Sequence, residues 1–293
     1  MTVNGARVWY RVAGRAPAGA PPVVFIPGGP GGNSYDFAAV PGPRLERALR
    51  MVYFDPRGTG RSERPAGGDY AMGTLVDDVE ALRKALGAPR IALIGHSFGA
   101  TVALEYAAKY TERVSRLVYV DGLWDAPGQC RFRRERLIRE YPALRERVLA
   151  DTLAADGTRR GDCELEFRVL AGPEREAFND RGLFRDSATR MRHDSINRAS
   201  GLRNTGEMSR ALFRAGLLSY RFAHPARLTM PVRVIVGRFD GQGGMEPQRE
   251  LARLLPDARF VELAESGHFP YLDEPERFAR EVIAFLTAPP RER

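Results

Sequence analysis

Gly95-His96-Ser97-Phe98-Gly99 places a serine between an apolar run (RIALI, residues 90–94) and a stretch of small helix formers (ATVALEYAAKY, residues 100–110). A serine hydroxyl becomes a nucleophile when a base takes its proton and a third group holds that base. The pattern G-x-S-x-G at a strand-to-helix turn lifts the serine out of the chain, because the glycines leave room for a tight turn. The helix that follows aims its positive end at the same point. A nucleophile is the expected role; a structural serine is the plainer alternative.

The base must come from His96, His193, His224 or His268. His96 adjoins Ser97, and its side chain should point away. His193 and His224 fall in a long helical stretch. His268 lies in ESGHFPYLDEP (residues 265–275), after the last apolar run, and alone fits the order nucleophile, acid, histidine. Asp240 ends VRVIVGRFD (residues 232–240) and is the expected acid. Asp121, at the end of RLVYVDG, is the second choice.

Acyl transfer turns a carbonyl oxygen into an oxyanion that needs fixed N–H donors. One is expected from Phe98, the residue after the nucleophile. The other is expected from Pro27-Gly28-Gly29-Pro30-Gly31-Gly32, which offers only backbone. Gly29 is the first choice there and Gly28 the second; a plain glycine turn is the simpler reading. A phosphate loop is excluded, since no G-K-[ST] follows.

These residues need a scaffold. PPVVFI, RMVYFD, RIALI, RLVYV, PVRVIV and ARFVEL are short and nearly continuously apolar, as strands covered on both faces are. Helical patterns lie between most of them, at residues 74–86, 100–110, 247–256 and 275–286. The last two begin with proline, which suits a first helical turn. The fold class is therefore α/β, a mostly parallel sheet with helices on both faces. The alternation stops between residues 123 and 228, which read as an inserted helical cap. Residues 1–122 and 229–293 form the core. Trp124, Phe184, Phe213 and Tyr220 are candidates for an apolar substrate wall, although aromatics at helical spacing also serve simply as core.

Gly28-Gly29-Pro30-Gly31, Asp55-Pro56-Arg57-Gly58-Thr59-Gly60-Arg61-Ser62, the turn around Ser97, Asp240 and His268 together resemble the α/β-hydrolase fold. Within it they resemble the proline iminopeptidase branch of serine aminopeptidases. The resemblance implies that residues 55–62 are a structural loop bracing the site. It implies an aminopeptidase that holds the substrate amine with cap glutamates, for which Glu164, Glu166, Glu174, Glu176 and Glu207 are available. None stands in a matching motif, and a helix-surface glutamate is the plainer reading of each. Pro27 stands where relatives usually carry histidine, and Phe98 where they often carry tryptophan. Hydrolysis of an ester, lactone or thioester is the alternative activity. A binding protein without turnover is the alternative from another class. Epoxide cleavage would require aspartate at position 97.

Net charge is +8, and 43 of the 45 basic residues are arginines. In RFRRERLIRE (residues 131–140) they alternate with carboxylates, as on a solvated helix face. Nucleic-acid binding is not expected, and the excess of arginine suits an acidic group better than an amine. No apolar run approaches the ~18–20 residues of a membrane span. The N-terminus lacks a secretory layout, so a cytoplasmic protein without membrane association is expected. Its two cysteines, Cys130 and Cys163, are expected as free thiols. No metal site or cofactor is expected, and the partner is a small molecule or short peptide serving as substrate.

Overall fold

The structure, a computed structural model, describes residues 1–151, 161–202 and 204–289. A small antiparallel ribbon, β1 (Thr2–Val3) and β2 (Ala6–Arg7), precedes the main sheet. That sheet contains β3 (Trp9–Ala13), β4 (Val23–Ile26), β5 (Met51–Asp55), β6 (Ile91–His96), β7 (Val114–Val120), β8 (Val232–Gly237) and β9 (Ala258–Leu263). The order is β3-β5-β4-β6-β7-β8-β9, with β3 antiparallel to β5 and all other pairs parallel.

The continuous apolar runs are explained by two cores. Val24, Ile26, Leu93, Tyr119 and Val234 point to one side of the sheet, against the helices Met72–Ala85, Phe98–Lys109 and Met245–Leu254. Val23, Phe25, Ile94, Val118 and Ile235 point to the other, against the helix Pro275–Leu286 and the short helix Tyr35–Ala39. Side chains alternate along each strand, so a strand covered on both faces must be apolar at every position. Strand β3 carries no such run. It is an edge strand with a partly exposed pattern, which hides it from a search for continuous apolar residues.

Between β7 and β8 every described regular element is helical apart from one isolated bridge, Asp125 to Arg221. The longer helices are Ala126–Glu140, Gly172–Leu183, Ser187–Ser200 and Glu207–Arg214. The insert has its own small core of Leu137, Val148, Leu165, Val169, Leu170 and Phe178.

The expectation of free thiols is corrected here: Cys130 and Cys163 form a disulfide. They are 33 residues apart, but the helix Ala126–Glu140 and the segment before the helix Leu165–Val169 fold back beside one another. Linear spacing gave no sign of that proximity. Among the described residues no helix is long and apolar enough to cross a membrane.

Candidate active site

Ser97 follows β6 directly and precedes the helix Phe98–Lys109. Its φ is +53° and its ψ is −123°. A non-glycine residue there is strained, and such strain persists only where the surroundings impose it. They do so from two sides. The Ser97 N–H donates to the carbonyl of Val120 on β7 at 2.9 Å. At Gly99 any Cβ would collide with the carbonyl oxygen of Ile26, so the first helical turn lies directly against the end of β4.

The chain leaving β4 is the glycine loop. Gly32 N–H closes it onto the Gly28 carbonyl at 2.9 Å. Gly29 has φ +123°, and a Cβ there would sit 2.5 Å from Gly31 N. No other residue type fits that position. A Cβ on Gly28 would lie 2.8 Å from Ser97 Cβ, so the loop and the serine are in contact. Phe98 opens the following helix, where the first N–H groups have no partner within the helix.

The segment after the glycine loop is fastened by Asp55. Its buried carboxylate accepts from Ser34 N–H at 2.9 Å, Ser34 Oγ at 2.7 Å, and Arg61 N–H and Nε at 3.0 and 2.7 Å. Arg57, also fully buried, forms a two-point ion pair with Asp78 at 2.6 Å per contact. Residues 55–62 thus brace the loop that adjoins Ser97.

Asp240 and His268 arrive from the ends of β8 and β9. His268 Nδ1 lies 2.9 Å from Asp240 Oδ1. With a carboxylate as partner, Nδ1 carries the proton and Nε2 remains the basic nitrogen. Burial pushes Asp240 up. The His268 charge and hydrogen bond and the N–H groups of Gln242 and Gly243 outweigh it, so the carboxyl sits below its usual range. Asp121 lies behind it with φ +41° and accepts from Gly237 N–H at 3.1 Å. Burial, then the negative charge of Asp240, pushes Asp121 well up.

The loop carrying Asp240 is gripped by two arginines of the insert. Buried Arg136 donates to the Gly241 carbonyl at 2.8 Å, and Gly241 N–H donates to the Gly182 carbonyl at 2.9 Å. Arg133 binds Gln242 and pairs with buried Glu166.

The other sequence candidates take varied places. Trp124 is buried and donates from Nε1 to the Pro247 carbonyl at 2.9 Å. Tyr220 donates to Glu105 at 2.8 Å. Both fasten the insert to core helices. Phe184 stacks on Phe269, beside His268, with centroids 5.4 Å apart. Phe213 is 45% exposed on the helix Glu207–Arg214. Glu207 accepts from Tyr70 Oη at 3.0 Å and pairs with Arg64 at 3.2 Å. Glu174 accepts from Ala171 N–H at 3.3 Å. Glu164 sits at the N-terminal cap of the helix Leu165–Val169 with a left-handed backbone, and Glu176 lies on the helix Gly172–Leu183.

Two residues were missed by sequence reasoning. His96 Nε2 meets the carbonyl oxygen of His268 at 2.7 Å. A carbonyl accepts, so His96 Nε2 is the donor. Burial, then the charge of His268, holds His96 down to about 3, and it stays neutral. His193 reaches in from the insert, its ring 4.8 Å from that of Phe269. Nothing in the spacing of either histidine announces these contacts.

Residues 21–275 match the sequence model of the alpha/beta hydrolase fold. The chain is 30% identical over 278 residues to a putative carbamate hydrolase of Cronobacter turicensis, covering 92% of each chain. It is 27% identical over 288 residues to a putative 2-succinyl-6-hydroxy-2,4-cyclohexadiene-1-carboxylate synthase of Bacillus subtilis, covering 96% of each. Among solved structures, a proline iminopeptidase-related protein of Thermus thermophilus superposes with a TM-score of 0.78 at 26% identity, over 98% of this chain and 96% of that one. A strained serine between β6 and its helix, an Asp–His pair at the ends of β8 and β9, and this match place the chain in the alpha/beta hydrolase fold family.

Proposed function

We propose that this chain is a serine hydrolase working through an acyl-enzyme on a small carbonyl substrate. The observation that carries the reading is the strained backbone of Ser97, held between Val120 and the end of β4. Ser97 attacks the carbonyl carbon. His268 Nε2 takes its proton, while Asp240 fixes the ring and stabilises its charged form. The N–H groups of Phe98 and Gly29, with Gly28 beside them, receive the oxyanion. His268 then returns the proton to the leaving group, and water releases the acyl group by the same steps in reverse order.

Two substrate classes compete. Resemblance to proline iminopeptidases, and the likeness to the Thermus protein, favour an aminopeptidase. That activity needs a carboxylate for the substrate's amine, yet Glu166 and Glu207 are paired with arginines. This pairing, and the match to a putative carbamate hydrolase, favour a short ester, thioester or carbamate.

The deciding experiment uses prolyl- and alanyl-naphthylamide, each beside its N-acetylated twin, together with nitrophenyl esters and Ser97→Ala as control. Cleavage of the free-amine naphthylamides alone identifies an aminopeptidase. Cleavage of esters but neither naphthylamide identifies an esterase-like enzyme. Turnover that survives Ser97→Ala, or failure of Ser97 to react with a fluorophosphonate, removes the serine mechanism altogether.

A further inference from the structure

Behind the glycine loop lies a small cavity lined by Ile26, Gly28, Phe54, Leu75, Phe98 and Met208, among others. It is lined by Phe98, one expected oxyanion donor, and by Gly28, the second choice for the other, which touches Ser97. Its walls are almost wholly apolar. Among the described residues that line it, the one charged side chain is Asp78, and both of its oxygens are occupied by Arg57. The space left open is about that of a single water molecule.

The insert supplies the roof. Met208 is 2% exposed and sits in the first turn of the helix Glu207–Arg214. A Cβ on Gly31 would meet Met208 Cβ at 3.9 Å, so the roof rests on the glycine loop. Three contacts hold it there: Tyr70 and Arg64 bind Glu207, and Leu212, one helical turn on, packs into the core cluster that includes Phe98.

We propose that this cavity receives the acyl side of the substrate and that Met208 sets the length it accepts. The inference rests on the serine-hydrolase reading and narrows its substrate class. Space for one water admits little more than a methyl group; a longer chain, or a ring, requires Met208 to move. The cavity presents no free carboxylate to a cationic amine.

The test compares the wild type with Met208→Ala on nitrophenyl acetate, butyrate, hexanoate and octanoate. One methylene in an apolar pocket is worth roughly tenfold or more in kcat/KM. The wild type is therefore expected to prefer the acetate, with kcat/KM falling at each longer ester. Met208→Ala is expected to raise the hexanoate-to-acetate ratio at least about tenfold. Met208→Val, a smaller trim, should give a smaller shift in the same direction and guards against loss of folding in the alanine variant. Straight-chain alkylboronic acids, which bind an active serine without turnover, are compared in parallel by thermal shift. An unchanged chain-length profile in both variants, with Ser97-dependent hydrolysis intact, overturns the role of Met208. Esters left uncleaved count against the hydrolase reading instead, and the boronic acids then decide the cavity: chain-length preference moved by Met208→Ala sustains it, and no preference ends it.

Discussion

His96 and His268, 172 residues apart, are joined by one hydrogen bond from a ring nitrogen to a backbone oxygen, at 2.7 Å. One neighbours the expected nucleophile and the other is the expected base. The bond ties the backbone of His268 to the residue beside Ser97. His96→Ala should leave KM nearly unchanged and lower kcat by about 100-fold, the usual cost of a misplacement near 1 Å. His96→Gln, which keeps a donor, should recover much of it. Full kcat in the alanine variant would show that the bond is not needed.

The same histidine ties stability to pH. Its ordinary value is 6.5, and in the fold it falls to about 3. As pH drops, the unfolded chain therefore takes up this proton first. The stability contributed is complete above about 6.5 and drains away as pH falls toward about 3, at up to ~1.4 kcal/mol per pH unit. Urea unfolding at pH 7, 6 and 5 should show this slope. In His96→Gln the slope should be shallower by about one proton.

Two carboxyls stand near His268, and kinetics can separate them. Asp240→Asn removes the partner of Nδ1 and should lower kcat by about 10⁴. Asp121→Asn keeps a polar group behind the pair and should cost less than about tenfold. If the larger loss follows Asp121, the acid has been assigned to the wrong strand.

Gly29→Ala tests the oxyanion loop. The methyl would meet Gly31 N at 2.5 Å in a backbone with φ +123°. The loop must then shift, and loss of one donor should lower kcat by about 10²–10³. The melting temperature, measured alongside, should fall too, because the clash is with backbone and the φ is one that alanine rarely adopts. A large fall in melting temperature with normal kcat would reverse that assignment.

The disulfide is open to a direct check. Alkylation of the denatured, unreduced chain should add no mass, and reduction beforehand should add two labels. Cys130→Ser should lower stability by roughly 2–4 kcal/mol in urea unfolding. Two labels without reductant would restore the free thiols.

How much of this was legible beforehand depended on how local each signal was. The five inner strands were readable because burial on both faces writes itself into most residues, as in Val23–Ile26, whereas β9 is an edge strand with one buried residue. Ser97 was readable from the glycines that flank it, although only Gly95 answers to neighbours in the chain, Gly99 and Ala100, while Gly99 answers to Ile26. His268 and Asp240 were found by order along the sheet, which topology enforces. The role of His96, the disulfide and Met208 depends on segments that meet only after folding, and no spacing records them. The glutamates of the insert were visible as residues but not as partners: Arg133 claims Glu166, and Arg64 claims Glu207.

The grip of Arg133 and Arg136 on residues 241 and 242 has a mechanical consequence. The insert cannot lift away as a rigid plate without dragging the Asp240 loop with it and disarming His268. That end is a hinge. The opposite end, the helix Glu207–Arg214, is held by Tyr70 and a mostly exposed Arg64 at Glu207 and by the buried side chains of Met208 and Leu212. Release of the helix Glu207–Arg214 would open the side of the glycine loop while leaving the contact of Arg136 with the Asp240 loop in place.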